Sequence, residues 1–194
     1  KERGTVNRYL SDLGVHAGGD EMENIKKIED GIKHDIVQYE YVQGAKIDVL
    51  DSIILKKQAT PYGYIKLFAA CFTQAEVNHE LGKAANKGVN RIDDNFEIWS
   101  YANYPLFYFP NQKKFMDPLH THYRCPLVPD EITGGKGIFC NIPPKGIVTG
   151  RLYKMRTITP LSVKQTHTNI SAGVSFDDNM DAKVDVSYSF TGYA

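Results

Sequence analysis

The chain has little cysteine, a single tryptophan, no net charge and no long apolar run, and each shortage excludes something. Cys71, Cys125 and Cys140 are odd in number, widely spaced and without a Cys-x-x-Cys pair. A disulfide framework is therefore not expected, and reduced, buried thiols are. Lys+Arg and Asp+Glu both number 23, which excludes disorder by self-repulsion and a uniformly basic nucleic-acid binder. No stretch approaches the ~20 apolar residues of a membrane-spanning helix. No signal-peptide pattern is visible, and the start at Lys1 rather than Met leaves room for a longer precursor.

What is present is aromatic and extended in character. The 194 residues include 12 Tyr and 9 Phe, many beside β-branched neighbours, which suits pleated, half-buried surfaces. Residues 1–19 show no clear period and read as an arm. Asp20 is placed to cap a short helix carrying Met22, Ile25 and Ile28 or Ile32, with Gly31 as its stop. From Asp35 the pattern turns to period two through Val37, Tyr39 and Tyr41. Ile53-Ile54-Leu55 reads as a second extended segment, and Thr60-Pro61-Tyr62-Gly63 as a turn. The apolar run from Tyr64 to Phe72 reads as a central strand, and Thr73 to Leu81 as a short helix ending at Gly82.

Residues 96–101 and 106–109 alternate again, while 111–136 form a long irregular segment of the kind that is usually functional. Strands are expected over 137–142 and 146–158, followed by a hairpin of 170–176 and 182–190. In the last strand Val184, Val186, Tyr188 and Phe190 face one way. These readings predict an all-β fold, a jelly-roll β-sandwich of about eight strands with one or two short helices and long irregular loops. Residues 1–34 form the arm with its helix, and 35–194 the sandwich.

Chemistry-bearing motifs are few. His120-Thr121-His122, with Cys125 three residues on, is the best metal candidate, because alternate residues of a strand share a face, yet a fourth ligand is not apparent. Asp177-x-Asn179-x-Asp181 resembles the start of a calcium loop but has Ala182 where the turn glycine belongs, so a hairpin turn accounts for it. Gly134-Gly135-Lys136-Gly137 lacks phosphate-loop spacing. Asn169-Ile170-Ser171 fits a glycosylation acceptor by pattern alone. No Gly-x-Ser-x-Gly elbow or nucleophile–base pattern occurs, so no enzyme and no cofactor is expected.

Ile132-Thr133-Gly134-Gly135-Lys136-Gly137, then Pro143-Pro144-Lys145-Gly146-Ile147, together with the last strand near the C-terminus and the irregular segment over 111–131, resemble parvovirus capsid proteins, densoviruses included. The resemblance covers the last third of the chain. It implies a virion protein self-assembling as about sixty copies, alone or with other capsid chains, into an icosahedral shell around viral single-stranded DNA. Between Asn111 and Arg156 eight cations face three anions, a local net of +5. On the shell reading Lys113, Lys114, Lys145, Arg151, Lys154 and Arg156 are the nucleic-acid-facing candidates. Tyr101, Tyr104, Phe107, Tyr108, Phe109 and Phe115 are the subunit-interface candidates. The alternatives are a β-sandwich binding module for carbohydrate or protein, with Trp99 and exposed Tyr as platforms, and a cupin-like metal enzyme using His120, His122 and His167.

Overall fold

The computed structural model describes residues 2–40, 48–89, 92, 102–141 and 153–193. They divide into two compact units, Lys1–Thr159 and Pro160–Ala194. The first unit holds four helices, α1 (Glu2–Asp12), α2 (Glu21–Asp35), α3 (Leu50–Lys56) and α4 (Pro61–Gln74), with the short parallel pair β1 (Val37–Gln38) and β2 (Gln58–Ala59) between them. Strands β3 (Glu80–Ala85), β4 (Ala102–Phe109), β5 (Lys114–Met116), β6 (Lys136–Asn141) and β7 (Lys154–Thr157) then form one antiparallel sheet in the order β5-β4-β3-β6-β7. This mixed helix-and-sheet architecture overturns the expected all-β jelly roll.

The helices follow from apolar spacing that a strand reading overlooks. Val6, Tyr9 and Leu10 recur at helical intervals and are buried, so residues 2–12 form a helix with one side in the core in place of the expected arm. Asp20 caps α2 as expected, accepting from the Glu23 amide at 2.7 Å. Gly31 does not end that helix. A Cβ there would lie 2.5 Å from Leu13 Cδ2, so glycine lets the segment after α1 approach closely. In α4 the buried residues Tyr64, Leu67, Phe68, Cys71 and Phe72 keep a helical interval inside a run too apolar to show it. Thr60 is that helix's cap and Pro61 its first residue, where a missing N–H costs nothing. Ile53 likewise lies in α3, and the helix expected after Thr73 is absent: α4 ends at Gln74 and β3 begins at Glu80.

The sheet buries both faces. Phe107, Phe109 and Met116 join the helices in the main core. Leu106, Phe115 and Phe139 face the other way with Val128, Ile132 and Ile158. Pro105 fits inside β4 because β5 pairs only with Phe107 to Phe109, leaving β4 without a second neighbour at the proline. Gly82, read from sequence as a helix stop, sits in β3 against β6, where a Cβ would meet the Ile138 carbonyl at 2.5 Å.

His79, 2% exposed, stands between Phe72 and Phe107 with ring centroids 5.5 and 5.9 Å away. Its Nδ1 lies 2.8 Å from the Val77 carbonyl, which assigns the proton to Nδ1, and its Nε2 has no partner among the described residues. Burial pushes its pKa down, so the folded state holds it neutral. The unfolded chain then binds the proton more readily, and stability falls as pH drops below the ordinary histidine value of about 6.5. Denaturant unfolding of the wild type and His79→Leu at pH 7.5 and 5 checks this: the variant should lose less stability on acidification.

The second unit holds the expected hairpin, of β8 (His167–Phe176) and β9 (Ala182–Thr191), paired from His167 with Thr191 to Phe176 with Ala182. Asp177 closes its turn, its Oδ1 accepting from the amides of Asn179 and Asp181 at 2.9 and 3.0 Å. Its carboxylate is thus used by the backbone.

Candidate functional site

One face of α2 carries Glu29, Asp30 and Lys33, and all three engage the irregular segment after β5. Lys33 Nζ donates to Glu29 Oε1 at 2.8 Å and to the carbonyls of Asp117 and Tyr123, both at 2.7 Å. Glu29 Oε2 accepts from the Cys125 amide at 2.8 Å. The two side chains are 2% and 0% exposed, so this is a buried ion pair with its donors and acceptors used. Burial pushes the Glu29 carboxyl up and the Lys33 amine down, each opposed by the other's charge. Arg124 adds an outer tie, Nε to Asp30 Oδ1 at 2.8 Å, with its guanidinium also donating to the Thr121 and Tyr123 carbonyls. Residues 117–125 have no regular structure, yet they are held to α2 at several points.

That framework presents two imidazoles. Asp117, its side chain 3% exposed, accepts at Oδ1 from the amides of Leu119 and His120, and its Oδ2 lies 2.6 Å from His120 Nδ1. This fixes the His120 ring with Nε2 as its free nitrogen. His120 and His122 have ring centroids 5.8 Å apart, and Tyr123 packs 4.3 Å from His122. Among the described residues no group of three or more His, Cys, Asp or Glu is placed to hold a metal. The three thiols are poor nucleophiles, since burial pushes each pKa up, that of Cys125 to about 12.

On the sheet, a cleft of about 390 Å³ opens beside Tyr108, Lys113, Met155 and Arg156. Arg156 grips Glu80 through Nε and a terminal nitrogen at 2.6 and 2.7 Å and lies over the Tyr108 ring, 4.1 Å from its centroid. Its charge is therefore matched within the fold.

The interface candidates separate accordingly. Phe107 and Phe109 are fully buried and Phe115 is 5% exposed, so they are core side chains of this unit and not surface contacts. Tyr104 and Tyr108 are half-buried against the second core. Tyr101 lies outside the described residues, as do Trp99, Lys145 and Arg151. Of the nucleic-acid-facing candidates, Lys113 and Lys154 are exposed. Lys114 is opposite Phe109, on that residue's face of the sheet, whereas Arg156 stacks on Tyr108, which faces the other way. Lys154 and Arg156 share the face of Phe139 and Tyr108, and Lys113 lines the same cleft, so three of these lie together and Lys114 apart.

Among the described residues, seven of the exposed large apolar side chains lie together on the hairpin. Ile170, Ala172, Val174 and Phe176 oppose Tyr188, Val186, Val184 and Ala182, and Thr168 opposes Phe190, so these ten share one face. Their large side chains are 47–67% exposed. The opposite face carries Asn169, Ser171, Ser175, Lys183, Asp185, Ser187 and Ser189. The alternation read from the sequence is present, and its apolar side is exposed. Sequence reasoning missed the α2 ties, although Glu-x-x-x-Lys in a helix and Asp117-x-x-His120 were visible spacings. No family model, curated protein or solved structure matches the chain, so the likeness to parvovirus capsid proteins rests on the residues quoted for it.

Proposed function

We propose that this chain is a structural subunit that works by associating with copies of itself through the apolar face of the β8–β9 hairpin, and not by turning over a substrate. The observation that carries this is the ten-residue face itself, which holds no charge and no large side chain less than 47% exposed. A lone two-stranded hairpin is marginal in water and needs a second layer. Two such faces brought together make that layer, a small two-sheet sandwich. Seven large apolar side chains, more than half exposed on average, offer on the order of 800 Å², about what each partner of a stable interface contributes. The charged residues Lys183 and Asp185 point to the other face, so association desolvates no ion.

Self-association is the half of the capsid expectation that does not require a jelly roll. Nucleic-acid packaging is not part of this proposal, because Arg156 is paired with Glu80 and Lys114 lies on the other face of the sheet, which leaves Lys113 and Lys154 as the exposed cations among the described candidates. No helix among the described residues is long and apolar enough to cross a membrane.

Light scattering on the intact chain and on Val184→Asp with Tyr188→Asp tests the reading. The wild type should have at least twice the 21.8 kDa chain mass and the double variant the single-chain mass, with unchanged circular dichroism. A wild type of single-chain mass at high micromolar concentration, or a variant of the same mass as the wild type, would overturn it.

A further inference from the structure

We infer that His120 and His122 together bind one divalent transition-metal ion at the surface of the first unit, with Asp117 as the positioning residue behind His120. The inference is independent of the hairpin. Metal-binding histidines characteristically give their second ring nitrogen to a carboxylate, which fixes the ring and makes the free nitrogen a better donor. His120 has this arrangement: Nδ1 is 2.6 Å from Asp117 Oδ2, and the carboxylate is itself held by the amides of Leu119 and His120. Nε2 is left to face outward on a side chain that is 45% exposed.

The second imidazole is at a suitable distance. With metal–nitrogen bonds of about 2.0–2.1 Å, two ring centroids on one ion lie roughly 5–5.6 Å apart across tetrahedral or slightly wider angles. The 5.8 Å separation of His120 and His122 is within a small side-chain movement of that range. The backbone between them does not have to be ordered by the ion, because Lys33 holds the carbonyls of Asp117 and Tyr123, Glu29 the Cys125 amide, and Arg124 the Thr121 carbonyl. The nearby guanidinium of Arg124 is paired with Asp30, 2.8 Å away.

Two imidazoles are a nitrogen-donor set, which suits copper, nickel and zinc and leaves calcium and magnesium, which need oxygen ligands, unbound. Water completes the coordination, in keeping with the absence of a third protein ligand among the described residues. Copper(II) is the tightest expected occupant by the general order of divalent affinities.

The test is titration of the intact, tag-free chain with copper(II) and zinc(II) chlorides by calorimetry, with electron paramagnetic resonance of the copper form. The wild type should take up one equivalent and show two imidazole nitrogens. His122→Ala should bind at least tenfold more weakly and show one nitrogen. Asp117→Asn should weaken binding by about 10- to 100-fold, the usual effect of losing a carboxylate behind a ligating histidine. Because Asp117 also holds two loop amides, its variant is compared by circular dichroism, and His122→Ala, whose ring is exposed, keeps the test decisive if that loop loosens. Absence of stoichiometric copper binding, or equal affinity and an equal nitrogen count in the wild type and His122→Ala, would overturn the inference.

Discussion

Replacing Lys33 with methionine is expected to destabilise the first unit by about 3–5 kcal/mol, the cost of leaving a buried charge without its partner. The Lys33 ammonium meets Glu29 and the carbonyls of Asp117 and Tyr123 within 2.8 Å, and neither it nor Glu29 is reached by water. Methionine fills much of the same volume and answers none of the three acceptors. Glu29, whose carboxyl burial already pushes up, rises further once the ammonium is gone. A carboxyl with a raised folded-state value binds protons more readily folded than unfolded, so acidification favours the fold. The Lys33→Met deficit should therefore be smaller at pH 5 than at pH 7.5. Urea unfolding at the two pH values measures it, and a loss below about 1 kcal/mol at pH 7.5 would show that the pair is not buried as described. The double variant with Glu29→Leu should recover only part of the loss, because the Cys125 amide and the two carbonyls stay unanswered.

Phe72→Ala is expected to cost a similar amount, about 3–5 kcal/mol, the usual range for removing a buried aromatic. Phe72 is fully buried and touches Phe68, Phe107 and Phe109 at ring-centroid distances of 5.9, 5.3 and 5.1 Å, so it joins α4 to β4 at the centre of the main core. Tyr62→Ala, at a residue 69% exposed on the same helix, should stay within about 0.5 kcal/mol.

The comparison shows which parts of this chain are legible from sequence. Where apolar and polar residues fall on opposite sides of an element, the period is clear: Asp20 and the Met22–Ile25–Ile28 stripe located α2, and the alternation of Val184 to Phe190 located β9. Where an element is buried nearly all round, the period is masked. Tyr64 to Phe72 is as apolar as a central strand, and only its interval of three and four residues marks a helix. Gly82 and Gly31 read as stops because sequence does not reveal that Phe139 and Leu13 occupy the space of a side chain there. The alternating Phe107 and Phe109 marked a strand correctly but not what it faces, since only the tertiary arrangement puts α4 across it. For the same reason His120 and His122 could be named from sequence, whereas the role of α2 in fixing their loop could not. That role depends on residues more than eighty positions away.

The most direct test of self-association through the hairpin is thiol cross-linking between copies. Ala172 sits mid-strand on the apolar face, and its neighbour Ser171 points to the polar one. A short bis-maleimide, able to span the roughly 10 Å between packed sheets, should join Ala172→Cys copies in high yield and Ser171→Cys copies poorly; of the native thiols Cys71 and Cys125 are buried and Cys140 is partly exposed, and the wild type carrying all three gives the background for both. Equal yields from the two variants, or no dimer from Ala172→Cys at concentrations where the wild type is tested, would contradict an interface built on that face.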